Sequence, residues 1–208
     1  LLQHAGRASL LAGGTDLLVE IKEQLRSPEI VINIKHLPEL RGLEYDPAEG
    51  LFIGAMATAR SLELNPLVQQ HYPGLAQAAR ELGSIQVRNR ATIVGNVCRA
   101  SPSADSLPPL LADGARIHLH GAAGARELAL GEFFTGPGRT ALHPGEIVTG
   151  IRLPVPQPGS GKAYIKHGRR KAMELATVGV AVSLQLQQGV LRQVAIVLGA
   201  VAPTAVHA

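Results

Sequence analysis

The stretch Leu10-Leu11-Ala12-Gly13-Gly14-Thr15-Asp16-Leu17 places two consecutive glycines between an apolar run and a helix-forming segment. A short buried strand is expected before the glycines, and from about Asp16 a helix whose apolar face comprises Leu17, Leu18, Ile21 and Leu25. Such a turn lets a bulky anion approach backbone N–H groups, and the helix start adds further donors. A phosphate site and a plain turn capped by Thr15 or Asp16 fit equally well. For Asp16 capping is favoured, because its carboxylate would repel a phosphate.

A second glycine-bearing loop, Thr92-Ile93-Val94-Gly95-Asn96, continues into Ala100-Ser101-Pro102-Ser103-Ala104-Asp105. This segment offers hydroxyls, a side-chain amide, a glycine and a carboxylate. A diphosphate needs hydrogen-bond donors and a ribose diol needs a carboxylate acceptor, so both kinds of group are present. Composition alone still favours an ordinary polar loop, and we expect residues 91–109 to be irregular.

The remaining chain predicts short strands and helices in mixed order. A helix is expected over 73–82, because proline stands near its start and Gly83 follows its end. A short helix should end near Leu111, and 133–140 is loop-like. Strands are expected at 31–34, 51–55, 116–120 and 146–153, and, after a Pro/Gly-rich linker at 154–161, at 163–167, 177–187 and 191–198, the last two forming a hairpin at Gln188-Gly189. This order favours an α+β fold over a doubly wound sheet.

Composition limits the functions that this chain can have. Hydrophobic residues make up 46% and charged residues 17% of the 208 residues, which fits a packed globular protein. Aromatic residues are only 3%, so base stacking and nucleic-acid binding are not expected. The net charge of +4 is most evident in Arg88-Asn89-Arg90 and in 166–171, which are either solvated or face a phosphate-bearing ligand or an acidic partner. Rossmann, P-loop and zinc-site motifs are absent.

The single cysteine, Cys98, excludes an intramolecular disulfide and a cysteine-ligated iron–sulfur cluster within this chain. It is most simply a small buried apolar residue. We expect a reducing, cytoplasmic location, and no apolar run reaches the roughly 18 residues of a membrane span. Domains are expected at 1–155 and 156–208, the first lacking its natural N-terminus and the second incomplete.

Several segments must be considered together. They are Ala12 to Leu17, Arg88-Asn89-Arg90-Ala91 with the second loop, Ser101 to Asp105, and Phe133-Phe134-Thr135-Gly136-Pro137-Gly138-Arg139-Thr140. In this order and spacing they resemble the FAD-binding subunit or domain of the molybdenum hydroxylases, the family of xanthine dehydrogenase and aerobic carbon monoxide dehydrogenase. Tyr164-Ile165-Lys166 and Leu198-Gly199-Ala200-Val201-Ala202-Pro203-Thr204 extend the resemblance over nearly the whole chain. It implies an α+β architecture, with a non-Rossmann FAD-binding fold of two α/β subdomains followed by a smaller α+β domain.

The resemblance also implies cofactor-binding residues. The diphosphate would contact Leu11, Ala12, Gly13, Gly14, Thr15, Asp16 and Leu17 in the first loop and Thr92, Ile93, Val94, Gly95 and Asn96 in the second. Asp105 corresponds to the family's acid near the adenosine side of the flavin. Leu142 and Lys166 fall at further flavin contacts, and Leu82 at an apolar contact.

Two positions need comment. The family usually has Gly-Gly where this chain has Val94-Gly95, and valine resists positive φ and adds bulk. FAD affinity is therefore reduced if the loop needs glycine there, and unaffected if Val94 points away. Lys166 alone would be interpreted as a solvated charge in a basic run, and the resemblance reverses that interpretation.

The resemblance implies an oxidoreductase subunit that binds FAD and has no catalytic residue or metal ligand of its own. A molybdopterin-binding large subunit would oxidise the organic substrate, and electrons would pass through two [2Fe–2S] clusters of a small subunit to the FAD. They would leave to an acceptor such as NAD, a quinone or oxygen. Two alternatives remain open: a self-contained flavin-dependent oxidoreductase of the same fold, and a flavin-free scaffold subunit.

Overall fold

The computed structural model describes residues 1–4, 6–170 and 172–208. Its N-terminal unit pairs two short parallel strands, with Leu10 opposite Ile32. The elements are a 3-10 helix (Leu2–His4), β1 (Ala8–Leu11), α1 (Leu17–Lys22) and β2 (Ile30–Asn33). The strand, glycine turn and helix are confirmed, but the four-residue apolar face is wrong. Because α1 ends at Lys22, Leu25 lies beyond it and is exposed, as is Leu18.

Residues 38–112 supply the first two strands of a larger sheet and six of its helices. In chain order they are a 3-10 helix (Pro38–Leu40), β3 (Leu43–Asp46), β4 (Gly50–Gly54), α2 (Ala59–Leu64), α3 (Pro66–His71), α4 (Pro73–Glu81), α5 (Ile85–Arg88), α6 (Ile93–Arg99) and α7 (Leu107–Ala112). Four of the short helices have side-chain N-caps, which offset the unpaired N–H groups of each first turn. The capping residues are Thr58, Asn65, Ser84 and Thr92.

Residues 116–153 complete that sheet. They form β5 (Arg116–Gly121), β6 (Gly124–Ala129), α8 (Leu130–Phe133), the hairpin β7 (Phe134–Gly136) and β8 (Arg139–Thr140), and β9 (Ile147–Leu153). The sheet is antiparallel with strand order β3-β4-β9-β5-β6. Alternate residues of its central strands, such as Ile53, Ile117 and Ile151, are fully buried and pack with the helices into one hydrophobic core. This alternation is the pattern of a sheet with one covered face.

A four-stranded antiparallel sheet follows the connection through 154–159. Its strands, in spatial and chain order, are β10 (Ser160–His167), β11 (Val178–Gln187), β12 (Val190–Gly199) and β13 (Val206–His207). One face packs on α4 and α7. The predicted hairpin is confirmed, because Gln188 and Gly189 both have positive φ, the conformation that a two-residue hairpin turn needs.

The α+β class is confirmed, but two predictions of irregular structure are wrong. The segment 91–109 contains α6 and the start of α7, and 133–140 contains the β7–β8 hairpin. Both elements are short and their sequences are rich in loop formers, so packing rather than propensity decides their conformation. No helix in the described part of the chain has the length and apolar character that crossing a bilayer requires.

Candidate functional site

The two glycine-bearing loops meet in space although they lie about eighty residues apart in sequence. A Cβ added at Gly13 would overlap the Arg90 carbonyl oxygen and lie 2.9 Å from the Arg90 carbonyl carbon. The second loop is held from its other side, because Ala59 N–H donates to Ala91 O at 2.8 Å and Ile93 N–H donates to Ala57 O at 3.2 Å. Only glycine permits this backbone approach at residue 13.

Arg99 forms a second connection between the loops. Its guanidinium lies 3.1 Å from Glu20 Oε1 and 3.8 Å from Asp16 Oδ1, and so joins the end of α6 to the start of α1. Asp16 occupies the N-cap position of α1 but its side chain makes no capping hydrogen bond, so the prediction that it caps the helix is wrong. Burial raises the pKa of Asp16, and the Arg99 charge opposes that rise. The cation therefore offsets the carboxylate that stands beside the glycine turn.

The first loop leaves backbone donors free for a ligand. Among the residues that the structure describes, no protein group accepts a hydrogen bond from the N–H groups of Gly13, Gly14, Thr15 or Asp16. Gly14 has a φ of +81°, a conformation that favours glycine. Consecutive unpaired N–H groups around such a turn suit an anion, and this donor set fits the diphosphate of a dinucleotide.

The second loop is ordered by its own side chains. Thr92 Oγ1 accepts the Gly95 N–H at 3.0 Å and caps α6, while the Ser106 hydroxyl donates to Asn96 Oδ1 at 2.7 Å. A Cβ added at Gly95 would meet, within 4 Å, only the side chain of Thr92 among the protein atoms outside its own helix backbone and chain neighbours. The Thr92 hydroxyl therefore occupies the space that a side chain at residue 95 would need, which favours glycine there.

Val94 is built into the core. It lies in the first turn of α6, is only 4% exposed and packs in the main hydrophobic cluster. Its φ is not positive, so valine causes no backbone strain here. The Val94 side chain packs into the protein interior. This is the case in which valine in place of the family's glycine was expected to leave FAD affinity unaffected.

We expect Val94→Gly, which restores the family's Gly-Gly pair, to lower the free energy of unfolding by about 2–4 kcal/mol, because it opens a cavity and weakens a helix. The dissociation constant for FAD, measured by flavin fluorescence, should stay within about twofold of wild type, since 1.4 kcal/mol of lost contact would be needed for tenfold. Val97→Gly is the matched control, a fully buried valine of the same helix. FAD binding that tightens tenfold in Val94→Gly but not in the control would show that Val94 obstructs the site.

Asp105, just before α7, and Lys166, on β10, form a buried ion pair. Lys166 Nζ lies 2.9 Å from Asp105 Oδ2, and Tyr164 donates its hydroxyl to Asp105 Oδ1 at 2.7 Å. Burial raises the pKa of Asp105, and the hydrogen bonds from Lys166 and Tyr164 act against it. The Lys166 side chain is 7% exposed, so its interpretation as a solvated charge is wrong.

Leu82 and Leu142 both belong to or pack against the main hydrophobic core. Leu82 is buried, and the neighbouring Glu81 carbonyl accepts a hydrogen bond from Lys166 Nζ at 3.4 Å. Leu142 packs against the main core, on a segment that Arg126 holds by donating to Ala141 O at 2.8 Å. No hydrogen bond within the described residues joins Leu142 directly to the two loops.

The basic run at 88–90 is not a phosphate site as a unit. Arg88 is buried, and its Nε donates to Glu63 Oε2 at 2.8 Å, so it is neither solvated nor free for a ligand. In the second run, Arg170 pairs with Glu174 at 2.9 Å, while Lys171 lies outside the described residues. Cys98 packs against the core, and burial raises the pKa of its thiol to about 12, which agrees with a structural role.

Comparison with known proteins shows the family of this chain. Residues 1–156 match the family model of the FAD-binding domain in molybdopterin dehydrogenase. The chain belongs to this family. Residues 163–208 of this FAD-binding chain match a second model, the CO dehydrogenase flavoprotein C-terminal domain. It is therefore an FAD-dependent oxidoreductase subunit of the molybdenum hydroxylase type.

Individual relatives agree with the family match. The FAD-binding chain is 35% identical over 209 residues to a xanthine dehydrogenase FAD-binding subunit of Escherichia coli, covering 100% of this chain and 71% of the relative. It is 38% identical over 205 residues to the carbon monoxide dehydrogenase medium chain of Hydrogenophaga pseudoflava, covering 99% and 71%. The structure of carbon monoxide dehydrogenase from that organism, lacking the Mo-pyranopterin moiety of its molybdenum cofactor, superposes with a TM-score of 0.94 at 37% identity, again covering 99% and 71%.

Three contributors to the site were not predicted from the sequence: Arg99, Ser106 and Tyr164. Arg99 and Ser106 carry no signal beyond their residue type. For Tyr164 a signal existed, because polar residues at Lys162, Tyr164 and Lys166 alternate along a strand and so lie on one face. A strand face made of lysine, tyrosine and lysine that packs inward must find acidic partners.

Proposed function

We propose that the two loops bind the diphosphate of FAD and that this chain is the electron-transfer subunit of a molybdenum hydroxylase complex. The observation that carries the proposal is the backbone contact of Gly13 with Arg90, which brings the free donors of the first loop next to the start of the second loop. The residues proposed to hold the cofactor are Leu11, Ala12, Gly13, Gly14, Thr15, Asp16, Leu17, Leu82, Thr92, Ile93, Gly95, Asn96, Asp105, Leu142 and Lys166, with Val94 shaping the loop from the core.

The chain's own residues bind and orient the cofactor. Gly13 and Gly14 supply backbone donors for the negatively charged diphosphate, and Asn96, whose Oδ1 already accepts from Ser106, has its amide hydrogens left for donation. Bound FAD supplies the redox chemistry, accepting and releasing electrons, while the protein provides position and charge. No proton transfer by a side chain is needed in this proposal.

Partners follow from the cysteine count and the relatives. With Cys98 as its only cysteine, the chain cannot ligate a [2Fe–2S] cluster through four thiolates. We propose that a small subunit carries these clusters and that a molybdopterin-binding large subunit oxidises the organic substrate. Electrons would then leave this chain to an external acceptor such as NAD or a quinone. The lone cysteine also favours a cytoplasmic complex, and we retain 1–155 and 156–208 as the proposed domains.

A spectrum and an activity assay test the proposal together. The purified full-length protein should show visible flavin absorption and release about one FAD per chain on denaturation, as expected for a single site. Alone it should not oxidise organic substrates with an artificial dye as acceptor, and it should gain this activity only with its molybdopterin and iron–sulfur partners. A colourless protein would favour the flavin-free scaffold, and substrate oxidation by the chain alone would favour the self-contained oxidoreductase.

A further inference from the structure

The strand β10 presents three polar side chains to the FAD-binding domain. Alternate residues of the strand share one face, and here they are Lys162, Tyr164 and Lys166. The side chains of all three are nearly buried. Lys162 Nζ lies 2.8 Å from Asp113 Oδ1, while Tyr164 and Lys166 share Asp105. The contact between the C-terminal sheet and the preceding domain therefore includes two nearly buried ion pairs.

Asp105 is the point where this face reaches the cofactor loops. Both of its carboxylate oxygens have a donor from β10, Tyr164 on Oδ1 and Lys166 on Oδ2. The next residue, Ser106, is fully buried and donates to Asn96 Oδ1 at 2.7 Å. A rotation of the Asp105 backbone would thus be transmitted to Asn96 through one peptide unit and one hydrogen bond.

Tyr164 has little freedom to move. It is 5% exposed, and its own backbone N–H donates to Gln77 Oε1 at 2.8 Å. Its ring lies over Gly179 of the neighbouring strand, where an added Cβ would fall 2.6 Å from the Tyr164 hydroxyl oxygen. Glycine at position 179 therefore leaves the space in which the hydroxyl meets Asp105.

We propose that Tyr164 is a positioning residue of the FAD site, which acts through Asp105 to hold Lys166 and the Asn96 end of the second loop. Tyr164 belongs to the C-terminal sheet, and its hydroxyl reaches the FAD-binding domain by donating to Asp105. The proposal rests on the function proposed above. Without the hydroxyl, a buried carboxylate oxygen loses its donor, and a buried acceptor left unpaired is costly enough to favour reorientation or hydration of the group.

The test compares two tyrosines in the full-length protein. Tyr164→Phe removes the hydroxyl bonded to Asp105, and Tyr72→Phe removes a hydroxyl that donates to Pro154 O at 2.8 Å. Both should lower the thermal midpoint of the FAD-free protein, since each deletes a buried hydrogen bond. Only Tyr164→Phe should weaken FAD binding, by roughly fivefold to thirtyfold, as expected when about 1–2 kcal/mol of positioning is lost.

A second variant displaces the Tyr164 hydroxyl without removing it. Gly179→Ala keeps every polar group but pushes the Tyr164 hydroxyl away from Asp105, so it should weaken FAD binding in the same direction. The double variant Tyr164→Phe/Gly179→Ala should be no weaker than the weaker single variant, because the two changes remove one contact. This second measurement also serves if Tyr164→Phe fails to fold.

The outcomes separate this proposal from the proposed function. Unchanged FAD affinity in Tyr164→Phe, equal loss in Tyr72→Phe, or additive losses in the double variant would each overturn the positioning role, while the wild type still binds FAD. If the wild type binds no FAD, the proposed function itself fails and the positioning role fails with it.

Discussion

Gly13→Ala should weaken FAD binding at least about tenfold while most of the fold survives. The new Cβ would overlap the Arg90 carbonyl oxygen and lie 3.0 Å from Ala91 Cα. Both are backbone atoms that cannot rotate away, and the second loop is itself held by the hydrogen bonds of Ala59 and Ile93. The loops must therefore separate, and overpacking of this kind costs about 1–3 kcal/mol.

The measurement is the dissociation constant for FAD together with the flavin content after gel filtration. We expect the constant to rise at least about tenfold, since a separation of the loops removes at least 1.4 kcal/mol of cofactor contact. Gly131→Ala is the matched control, because its Cβ would meet only Leu111 Cδ2 at 3.8 Å within the short helix α8. Loss of stability in Gly13→Ala without loss of FAD affinity would show that the meeting of the two loops does not create the site.

The same two loops show what the sequence could and could not predict. The glycine turn after β1 was predicted from local pattern, since a strand, two glycines and a helix follow one another within a few residues. Its contact with Arg90 could not be predicted from periodicity, because the contact joins backbone atoms and leaves no pattern in side chains. Family resemblance supplied that long-range information.

Short elements set a second limit. The hairpin at Gln188-Gly189 and the helix α4 were predicted because alternation over ten-residue strands and a proline-to-glycine frame are strong signals. The seven-residue helix α6 was missed, since one or two turns give no reliable period and its stability comes from burial of Ile93 and Val97. The low helix propensity of glycine at position 95 instead predicted a loop.

Charged residues set the third limit, because the sequence does not reveal their partners. Lys166 stands in a run of basic residues, and on that ground alone it was expected to be solvated. It instead forms an ion pair with Asp105, which lies 61 positions away in sequence. Arg88 was treated as part of a basic cluster and pairs with Glu63 in the interior. Both side chains turn inward. The alternation of β10 indicates this for Lys166, and the composition indicates it for neither residue.

The second large effect is expected from Lys162→Met. Lys162 pairs with Asp113 at 2.8 Å, with side chains 8% and 3% exposed, and its ammonium lies 4.6 Å from the centre of the Tyr72 ring. Methionine has similar length but leaves the Asp113 carboxylate buried without its cation. Breaking such a pair from one side costs about 3–5 kcal/mol, so the denaturant midpoint at neutral pH should fall clearly.

The pH dependence of this loss follows from Asp113. Burial raises its pKa in the folded protein, and Lys162 opposes that rise, so the variant should have a still higher pKa. A carboxyl whose folded pKa exceeds its unfolded value binds more protons when folded, so its contribution is full below the unfolded pKa and is lost as pH rises through the folded one. The deficit of Lys162→Met relative to wild type should therefore be smaller at about pH 5 than at about pH 8.

A double replacement separates the pair's net contribution from the cost of breaking it. In Lys162→Met/Asp113→Leu neither position keeps a buried charge, and exchange of a buried ion pair for apolar groups is often neutral or stabilising. We expect this variant to recover most of the stability that Lys162→Met loses and to show no extra pH dependence between about pH 5 and pH 8. Because FAD is proposed to contact Lys166 and not Lys162, its affinity for the double variant should stay within about twofold of wild type. Equal instability of the single and double variants would mean that Lys162 stabilises the sheet by packing over Tyr72 and not by neutralising Asp113.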